Sequence, residues 1–426
     1  MSASEPGLRL AAAVGLLLAA CGGSTGGPAA GTGGATGGTT SSGGAAGGSA
    51  GAVSTGGAVA TGGTSGPGGG AGARATGGAA GGAGARATGG MAGGRASGGG
   101  PGGHGGNGAS AGAGGGAGAG GQSCPGDAYD SSAPPKALAL SGSLGAHDPA
   151  AYVVGTTVYL AATGLVGKTS TNLTSWTSTA NPLPLPSWAA SATGATNLWA
   201  PDISFFGGVY HLYYAASTFG SNKSCIGQAT RAALDSGSWA DQGMVVCSNM
   251  GESDNWNAID PNVVVDDAGT PWLAFGSFWS GIKMIKLTAA GARADTMLYS
   301  LANGASSRGS LEGAWVFKRC GMYYLFTSWG SCCSDPYDYN IRVGRSATVT
   351  GPYVDKAGTA LMSGGGTLLV QGNSSWVAPG HNAVIAYGGK TYNIYHALQG
   401  SSSGTATLRV AELVWDADGW PVSGGP

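Results

Sequence analysis

A segment that recurs five times is the feature that most constrains how this chain can fold. Each copy has a polar residue, a short apolar run, a turn containing glycine, and then a strand rich in Tyr, Trp, Phe and Leu. The copies begin at Asp148, Asp202, Asp260, Glu312 and His381, and their turn glycines are Gly155, Gly208, Gly269, Gly321 and Gly389. Because the glycines recur at intervals of roughly 50 to 70 residues, each copy can form one four-stranded blade with its loops. The sequence therefore predicts an all-β fold, a five-bladed β-propeller.

The first residues of the five copies are expected to lie close together at the propeller axis. Equivalent positions on the innermost strands of a propeller converge on its axis. Four carboxyl groups and a histidine would then meet in one pocket, where burying them costs free energy unless they serve a function. The alternative, strand-end acids that face solvent, suits any single one of them better than it suits all five in register.

The first 21 residues are typical of an export signal. Arg9 precedes the apolar run 10–20, which is too short to span a bilayer as a mature helix. The run ends in Leu18-Ala19-Ala20-Cys21 followed by two glycines, which resembles a bacterial lipobox. Acylation of Cys21 by more than one chain would anchor the protein lastingly at the cell envelope. In the alternative, Cys21 is incidental and the protein is secreted; both interpretations predict export.

Residues 22–123 consist almost entirely of Gly, Ala, Ser and Thr. Such a segment cannot bury a core, so we predict a disordered tether. A Gly-rich coil of this length has a reach on the order of 50 to 60 Å. Residues 124–426 then form the propeller domain, which we expect to be a monomer.

Charge and hydropathy argue against two classes of partner. The formal net charge is -1 and the chain has no basic clusters, so no nucleic-acid partner is expected. Nothing after residue 21 is apolar enough to span a membrane. The only membrane contact that we expect is the lipid on Cys21.

The cysteines are typical of an exported protein. If Cys21 is acylated, six cysteines remain, an even number that can pair in many ways. A Cys225–Cys247 disulfide is the first expectation, on proximity alone. Cys332 and Cys333 could equally be free buried thiols. No Cys-x-x-Cys pair or histidine cluster indicates zinc.

Carboxyl groups around a pocket, without a nucleophilic serine motif, a phosphate loop or a metal cluster, suit glycoside hydrolysis. One acid must protonate the leaving oxygen while another carboxylate activates water or attacks carbon. Aromatic residues near the acids could stack on sugar rings, and they are Trp199, Phe219, Phe278, Trp279, Trp315 and Trp329. Most tryptophans should instead belong to the blade core, and we expect this of Trp272 and Trp315.

The chain from about Leu144 to Pro421 resembles glycoside hydrolase family 43, and most closely its endo-1,5-α-L-arabinanases. The matching segments occur in the order of the family and cover nearly all of the expected domain. They include Ala146-His147-Asp148-Pro149, Leu198-Trp199-Ala200-Pro201-Asp202, Asn257-Ala258-Ile259-Asp260-Pro261, Phe275-Gly276-Ser277-Phe278-Trp279, Leu311-Glu312-Gly313-Ala314, Cys332-Cys333 and Pro379-Gly380-His381-Asn382.

The resemblance implies roles for four residues. Asp148 would be the general base, Glu312 the general acid, and Asp260 a carboxylate that orients Glu312 and modulates its pKa. The family inverts the anomeric configuration, which requires space for a water between base and acid. No cofactor would be needed for the chemistry. His381 would lie near a structural ion, often Ca²⁺ held through water, because one histidine is a poor calcium site.

The resemblance also implies the residues that contact substrate, an arabinan or arabino-oligosaccharide. They are Asp148, Trp199, Phe219, Gly220, Asn257, Ala258, Ile259, Asp260, Ser277, Phe278 and Trp279. One departure is Gly313-Ala314 after Glu312, where many relatives have Ala-Pro or a similar pair. Only the fine position of the acid depends on that difference.

Two other functions fit the sequence. The first is exo action on the same fold, as an arabinofuranosidase or xylosidase, but the stretch 257–283 resembles the endo type more. The second is a non-catalytic surface propeller that binds sugars. Loss of a catalytic carboxyl would favour it, and all three are present.

Overall fold

The computed structural model describes residues 128–180, 183–251, 254–304, 310–334, 336–400 and 405–426. The predicted export signal in 1–21, the lipid anchor on Cys21 and the tether in 22–123 lie outside these ranges. Among the described residues, no helix has the length and apolarity to cross a membrane.

Nearly all of the regular structure is β-strand, arranged in five sheets of consecutive antiparallel strands. Blade I contains β1 (Ser141–Gly142), β2 (Ala150–Val154), β3 (Thr157–Ala162), β4 (Val166–Ser170) and β5 (Ser175–Thr179), with β1 parallel to β5. Blade II contains β6 (Trp199–Phe206), β7 (Val209–Ala216), β8 (Ser224–Arg231) and β9 (Ala240–Ser248). Blade III contains β10 (Asn262–Val265), β11 (Pro271–Phe275), β12 (Ile282–Lys286) and β13 (Tyr299–Ala302).

The last two blades follow the same plan. Blade IV contains β14 (Leu311–Arg319), β15 (Met322–Trp329), β16 (Asn340–Ser346) and β17 (Thr367–Gln371). Blade V contains β18 (Trp376–Tyr387), β19 (Lys390–Gln399), β20 (Ala406–Trp415) and β21 (Pro421–Ser423). In the described ranges the helical elements are α1 (Ser187–Thr193) and two 3-10 turns, Thr163–Leu165 and Leu361–Ser363.

The first long strand of each blade is the innermost one. β2, β6, β10, β14 and β18 contact one another in that order, and β18 contacts β2. The five strands therefore enclose a central channel of about 300 Å³. This arrangement confirms the predicted five-bladed propeller.

The core lies between neighbouring blades. Each of the five interfaces has its own cluster of buried apolar side chains, for example Phe206 of blade II with Leu273 of blade III. Both faces of each sheet are thus covered, which is why aliphatic and aromatic residues run continuously along the strands. Trp272 and Trp315 pack against these clusters, as predicted.

The segment before blade I pairs with blade V. The N–H groups of Tyr129 and Leu138 donate to the carbonyls of Trp415 and Val410, both on β20, at 2.8 Å. The N–H of Leu408 donates to the Leu144 carbonyl at 2.7 Å. The beginning and the end of the domain are therefore joined within one blade, and this pairing closes the ring.

Five cysteines of the described residues are disulfide-bonded. Cys225 and Cys247 are joined across β8 and β9, as expected from proximity. Cys332 and Cys333 form a disulfide between adjacent residues, so the alternative of two free thiols is wrong. Cys320 is also disulfide-bonded.

Candidate active site

Asp148 lies just before β2, in a left-handed backbone conformation with φ 51°. Its Oδ2 lies 2.9 Å from Nδ1 of His147 and accepts a hydrogen bond from the Thr163 hydroxyl at 2.7 Å. Its Oδ1 lies 3.1 Å from Nδ1 of His381 in blade V. Its backbone N–H donates to Nδ1 of His396 at 3.1 Å. Three histidines therefore surround one carboxyl group.

These histidines set the charge of Asp148. Burial alone would raise the pKa of Asp148, but the charges of His147 and His381 outweigh it and hold the pKa well below 3.8. Burial likewise opposes protonation of His381, yet Asp148 and Asp260 raise its pKa to about 9. In contrast, burial and the charge of His147 keep the pKa of His396 well below 6.5. At neutral pH, Asp148 is a carboxylate beside the imidazolium of His381.

Glu312 is the second residue of β14 and has two hydroxyl partners. The Ser277 hydroxyl donates to Oε2 at 2.7 Å, and the Tyr339 hydroxyl donates to Oε1 at 3.0 Å. Burial and the charge of Asp148 raise the pKa of Glu312, although both hydrogen bonds oppose the change. Burial and the charge of Glu312 also keep the pKa of Tyr339 well above 10, so its hydroxyl remains a donor.

Asp260 lies just before the innermost strand of blade III and is also left-handed, with φ 59°. Its Oδ2 accepts a hydrogen bond from the backbone N–H of Gly313 at 3.0 Å. Burial raises its pKa to about 7; His381 opposes the rise, and the charges of Glu312 and Asp148 add to it. Asp260 is therefore tied to the residue that follows Glu312. The structure thus brings Asp148, Asp260, Glu312 and His381 into one cluster.

Asp202 does not join this cluster, so its predicted equivalence to Asp148 is wrong. A β-bulge just before Asp202 leaves Ala200 and Pro201 outside the regular pairing. Ala200, with φ 38°, has the left-handed conformation of Asp148, and each is followed by proline. Asp202 comes two residues later, lines the central channel, and accepts a hydrogen bond from Nδ2 of Asn262 at 2.9 Å.

Blade IV shows a smaller shift of register. A β-bulge follows Glu312, and the left-handed residue is Gly313, with φ 61°. Glu312 therefore enters the cluster from one position earlier than Asp148, Asp260 and His381 do in their blades. A Cβ at residue 313 would lie 3.3 Å from Cα and Nδ1 of His381. Glycine at this position leaves room for that histidine.

Three of the predicted sugar contacts are exposed aromatic rings. Phe219 is 67% exposed, Phe278 41% and Trp279 43%. Phe278 and Trp279 directly follow Ser277, the hydrogen-bond partner of Glu312, and both are left-handed. Gly220, beside Phe219, has open space around it and φ 76°. Phe278 and Trp279 are therefore exposed beside the carboxyl cluster, where aromatic rings can stack on sugar faces.

The other predicted contacts are less exposed. Asn257, Ala258 and Ile259 are buried, and within the described part of the chain Oδ1 of Asn257 has no hydrogen-bond partner. The Ile259 carbonyl accepts a hydrogen bond from Gly276 at 2.8 Å. Trp199 is partly buried and donates to Oδ1 of Asn197 at 2.6 Å. Among these residues, Asn257 has the polar atom that is best placed to accept a further donor.

Sequence reasoning assigned no role to four residues of the cluster. His147 adjoins Asp148 in the segment Ala146-His147-Asp148-Pro149, so its position was a usable signal. His396 interrupts an apolar strand, which is a weaker signal. Thr163 and Tyr339 carry no recognisable pattern, because they reach the cluster through packing of loops that are distant in sequence.

The residues around His381 do not by themselves form a calcium site. Nδ1 of His381 faces Asp148, and both Asp148 oxygens already lie against His147, His381 and the Thr163 hydroxyl. Ca²⁺ prefers six to eight oxygen ligands, so an ion at this place would depend mainly on water. No step proposed below requires a metal.

Residues 143–421 match the family model described as Glycosyl hydrolases family 43. The chain is 38% identical over 285 residues to the extracellular endo-α-(1→5)-L-arabinanase 1 of Bacillus subtilis, covering 65% of this chain and 86% of the relative. It is also 38% identical over 296 residues to the extracellular exo-α-(1→5)-L-arabinofuranosidase ArbA of Cellvibrio japonicus, covering 65% and 85%.

A solved structure is similar in both fold and sequence. It is the α-L-arabinanase of Cellvibrio cellulosa complexed with arabinohexaose, with a TM-score of 0.61 and 36% identity. The match covers 66% of this chain and 95% of that one. Together with the family match, these similarities show that the chain is a glycoside hydrolase that belongs to glycosyl hydrolase family 43.

Proposed function

We propose that the protein hydrolyses 1,5-α-L-arabinofuranosidic bonds within arabinan, the endo mode of action. The names of two similar proteins, an endo-arabinanase and an α-L-arabinanase complexed with arabinohexaose, support this substrate. Exposed Phe219, Phe278 and Trp279 provide apolar surfaces for a neutral sugar chain. We assign further substrate contacts to the polar atoms of Asn257 and Ser277, to the backbone of Gly220, Ala258 and Ile259, and to Trp199, as the family resemblance implies.

The observation that carries the mechanism is the opposite pKa shift of two carboxyl groups in one cluster. Asp148 has a lowered pKa and is ionised, as a general base must be. Glu312 has a raised pKa, which favours the protonated form that a general acid needs. Asp148 takes a proton from water as that water attacks C1. Glu312 gives its proton to the departing glycosidic oxygen, and the configuration at C1 inverts.

Asp260 is proposed to modulate the acid. Its carboxylate raises the pKa of His381 and Tyr339, and its Oδ2 accepts a hydrogen bond from the N–H of Gly313, next to Glu312. Asp260 thereby orients the backbone beside Glu312 and acts on the protonation of Glu312 through His381, whose charge lowers the pKa of Glu312. No cofactor takes part in these steps.

Exo action is the second candidate, because the Cellvibrio japonicus relative is an exo-arabinofuranosidase at the same level of identity. We favour endo action because the stretch 257–283 resembles that type. A groove that loops close at one end would indicate exo action, and a groove open at both ends would indicate endo action.

The proposal includes the cellular setting. Two similar proteins are named as extracellular, which supports export through the signal in 1–21. We propose a lipid on Cys21, a tether in 22–123 and a monomeric catalytic domain in 124–426. Arabinan rather than nucleic acid is its partner, and the lipid is its membrane contact.

Digestion of linear, debranched 1,5-arabinan tests the function. We expect the wild-type protein to release a mixture of oligosaccharides early, and Glu312→Ala to lose activity by about 10²- to 10⁴-fold. Chain-length profiling over time measures the first result, and NMR of the first-formed anomer measures inversion. Monomer or one fixed product from the start would indicate the exo enzyme. Binding without cleavage would indicate a sugar-binding propeller.

A further inference from the structure

The segment between β15 and β16 contacts Glu312 directly and reaches Asp148 through His147. At one end, the Tyr339 hydroxyl donates to Oε1 of Glu312. Near the other end, Sγ of Cys333 lies 3.9 Å from Nε2 of His147. Since Nδ1 of the same imidazole lies 2.9 Å from Oδ2 of Asp148, one ring links the disulfide to the proposed base.

The disulfide is held from behind by blade V. Cys332 packs against a small apolar cluster that contains Tyr339, Ala378 and Leu398. Hydrogen bonds fix the segment locally, because the N–H of Ser331 donates to Oδ1 of Asp338 at 2.8 Å. The ring formed by two adjacent half-cystines therefore has a defined place beside the cluster.

His147 has fewer constraints of its own. Its side chain is 28% exposed, whereas that of His396 is 1% exposed. Besides its contacts with Asp148 and Cys333, the ring of His147 lies against the ring of His396, with centroids 4.5 Å apart and a 31° tilt. A partly exposed imidazole can turn about its side-chain bonds unless both of its nitrogens are engaged. A disulfide sulfur carries no proton, so in this contact the Nε2–H group donates a hydrogen bond and the sulfur accepts it.

We propose that His147 is a positioning residue for Asp148, and that the Cys332–Cys333 disulfide holds His147 in that position. The inference rests on the proposed function, in which Asp148 is the base. A carboxylate aimed by an imidazole keeps its oxygen directed at the attacking water, and loss of aim by about 1 Å can cost about 100-fold in rate. The disulfide thus acts on the base from blade IV, across the axis from blade I.

The pH dependence follows from every charged group that faces Asp148. These groups are His147 beside it, His381 on β18, His396 on β19, Glu312 on β14 and Asp260 before β10. After burial, the charge of His147 is the main influence on the pKa of Asp148, and it lowers that pKa. Removing or turning His147 therefore raises the pKa of the base. The acidic limb of the kcat/KM profile should move to higher pH.

A double-mutant cycle with arabinan as substrate tests the inference. We expect His147→Ala to lower kcat by about 10-fold or more and to move the acidic limb up by about one pH unit, with KM changed by about twofold at most. The pair Cys332→Ala/Cys333→Ala should cause the same changes to a smaller extent. On the His147→Ala background, removing the disulfide should have no further effect, because it acts through the ring.

Two controls separate positioning from general stability. Cys225→Ala/Cys247→Ala removes a disulfide from the edge of blade II and should leave the pH profile in place. His147→Asn can put an amide nitrogen near the place of Nδ1 and should restore part of kcat, even if His147→Ala folds poorly.

Either of two results would overturn the inference. One is an unchanged acidic limb without the Cys332–Cys333 bond, and the other is a full additional loss on the His147→Ala background. If the wild-type protein did not cleave arabinan, the proposed function itself would fail.

Discussion

Asp148 and Asp202 are both aspartates at the start of an inner strand, but their surroundings differ. Asp148 has a pKa well below 3.8 because two charged histidines outweigh its burial. Asp202 has a pKa of about 7, because burial raises it and only neutral donors, Asn262 and backbone or hydroxyl groups, oppose the rise. Two residues of displacement along the strand thus separate an ionised carboxylate from one that is half protonated at neutral pH.

The comparison shows that burial alone does not define a catalytic carboxyl. Burial raises both pKa values, and the sign of the result depends on whether a cation stands within hydrogen-bonding distance. In blade II the left-handed position is occupied by Ala200, so this blade contributes no carboxyl group to the cluster. Asp202 instead accepts a hydrogen bond from Asn262 of the adjacent blade III.

The same substitution at the two aspartates should give the largest contrast. Asp148→Asn should lower kcat on linear arabinan by about 10²- to 10⁴-fold, because a neutral amide cannot accept the proton from water. Asp202→Asn should leave kcat within about threefold, since it lies outside the cluster. Initial rates with purified proteins measure both, and thermal unfolding checks that both variants fold. Equal losses in the two variants would contradict the distinction.

Removing one histidine should make Asp148 more like Asp202. His381→Gln takes away a positive charge that lowers the pKa of both Asp148 and Glu312. Both limbs of the pH profile of kcat/KM should therefore move upward, by about one pH unit for the acidic limb. Rates from pH 4 to 9 measure the shift, and limbs that stay at the same pH would show that His381 does not set the charge of Asp148.

The smallest effect concerns stability. The pKa of Asp202 is raised on folding from 3.8 to about 7, so its protonated form stabilises the fold at low pH. That contribution is lost as the pH rises through the folded-state pKa. The free energy of unfolding of Asp202→Asn, relative to wild type, should therefore increase between about pH 4 and pH 7, by at most about 1.4 kcal/mol per pH unit. Urea denaturation of both proteins across this range measures the difference in the free energy of unfolding. A difference that does not change with pH would show that Asp202 is more solvated than its burial indicates.

The number of blades could be predicted from the sequence, because each hairpin turn is recognisable from a few neighbouring residues. All five turn glycines have positive φ, from 59° at Gly155 to 85° at Gly208. Glycine adopts such angles at little cost, so a repeated glycine between apolar runs indicates a hairpin directly. The regular recurrence of this glycine along the chain then indicates a ring of five blades.

The strand register of the site residues could not be predicted from the sequence in the same way. A β-bulge adds residues on one strand without changing the alternation on either side, so Asp202 and Glu312 appeared equivalent to Asp148 when they are not. Tyr339 and Cys333 come from a loop of blade IV, and their contacts with Glu312 and His147 exist only after the blades pack. The repeat and the family resemblance both indicated the carboxyl groups, but neither indicated the residues that hold them.

The pairing of the segment before blade I with β20 has a consequence for how the chain is made. Four blades must leave the ribosome before the strand that closes the ring has been synthesised. Until then the open sides of blades I and IV expose apolar surface that the finished protein covers, a state that favours aggregation. Contacts between such distant parts of the sequence also form slowly. The last strands to be synthesised therefore decide when the proposed catalytic groups, which come from blades I, III, IV and V, first meet.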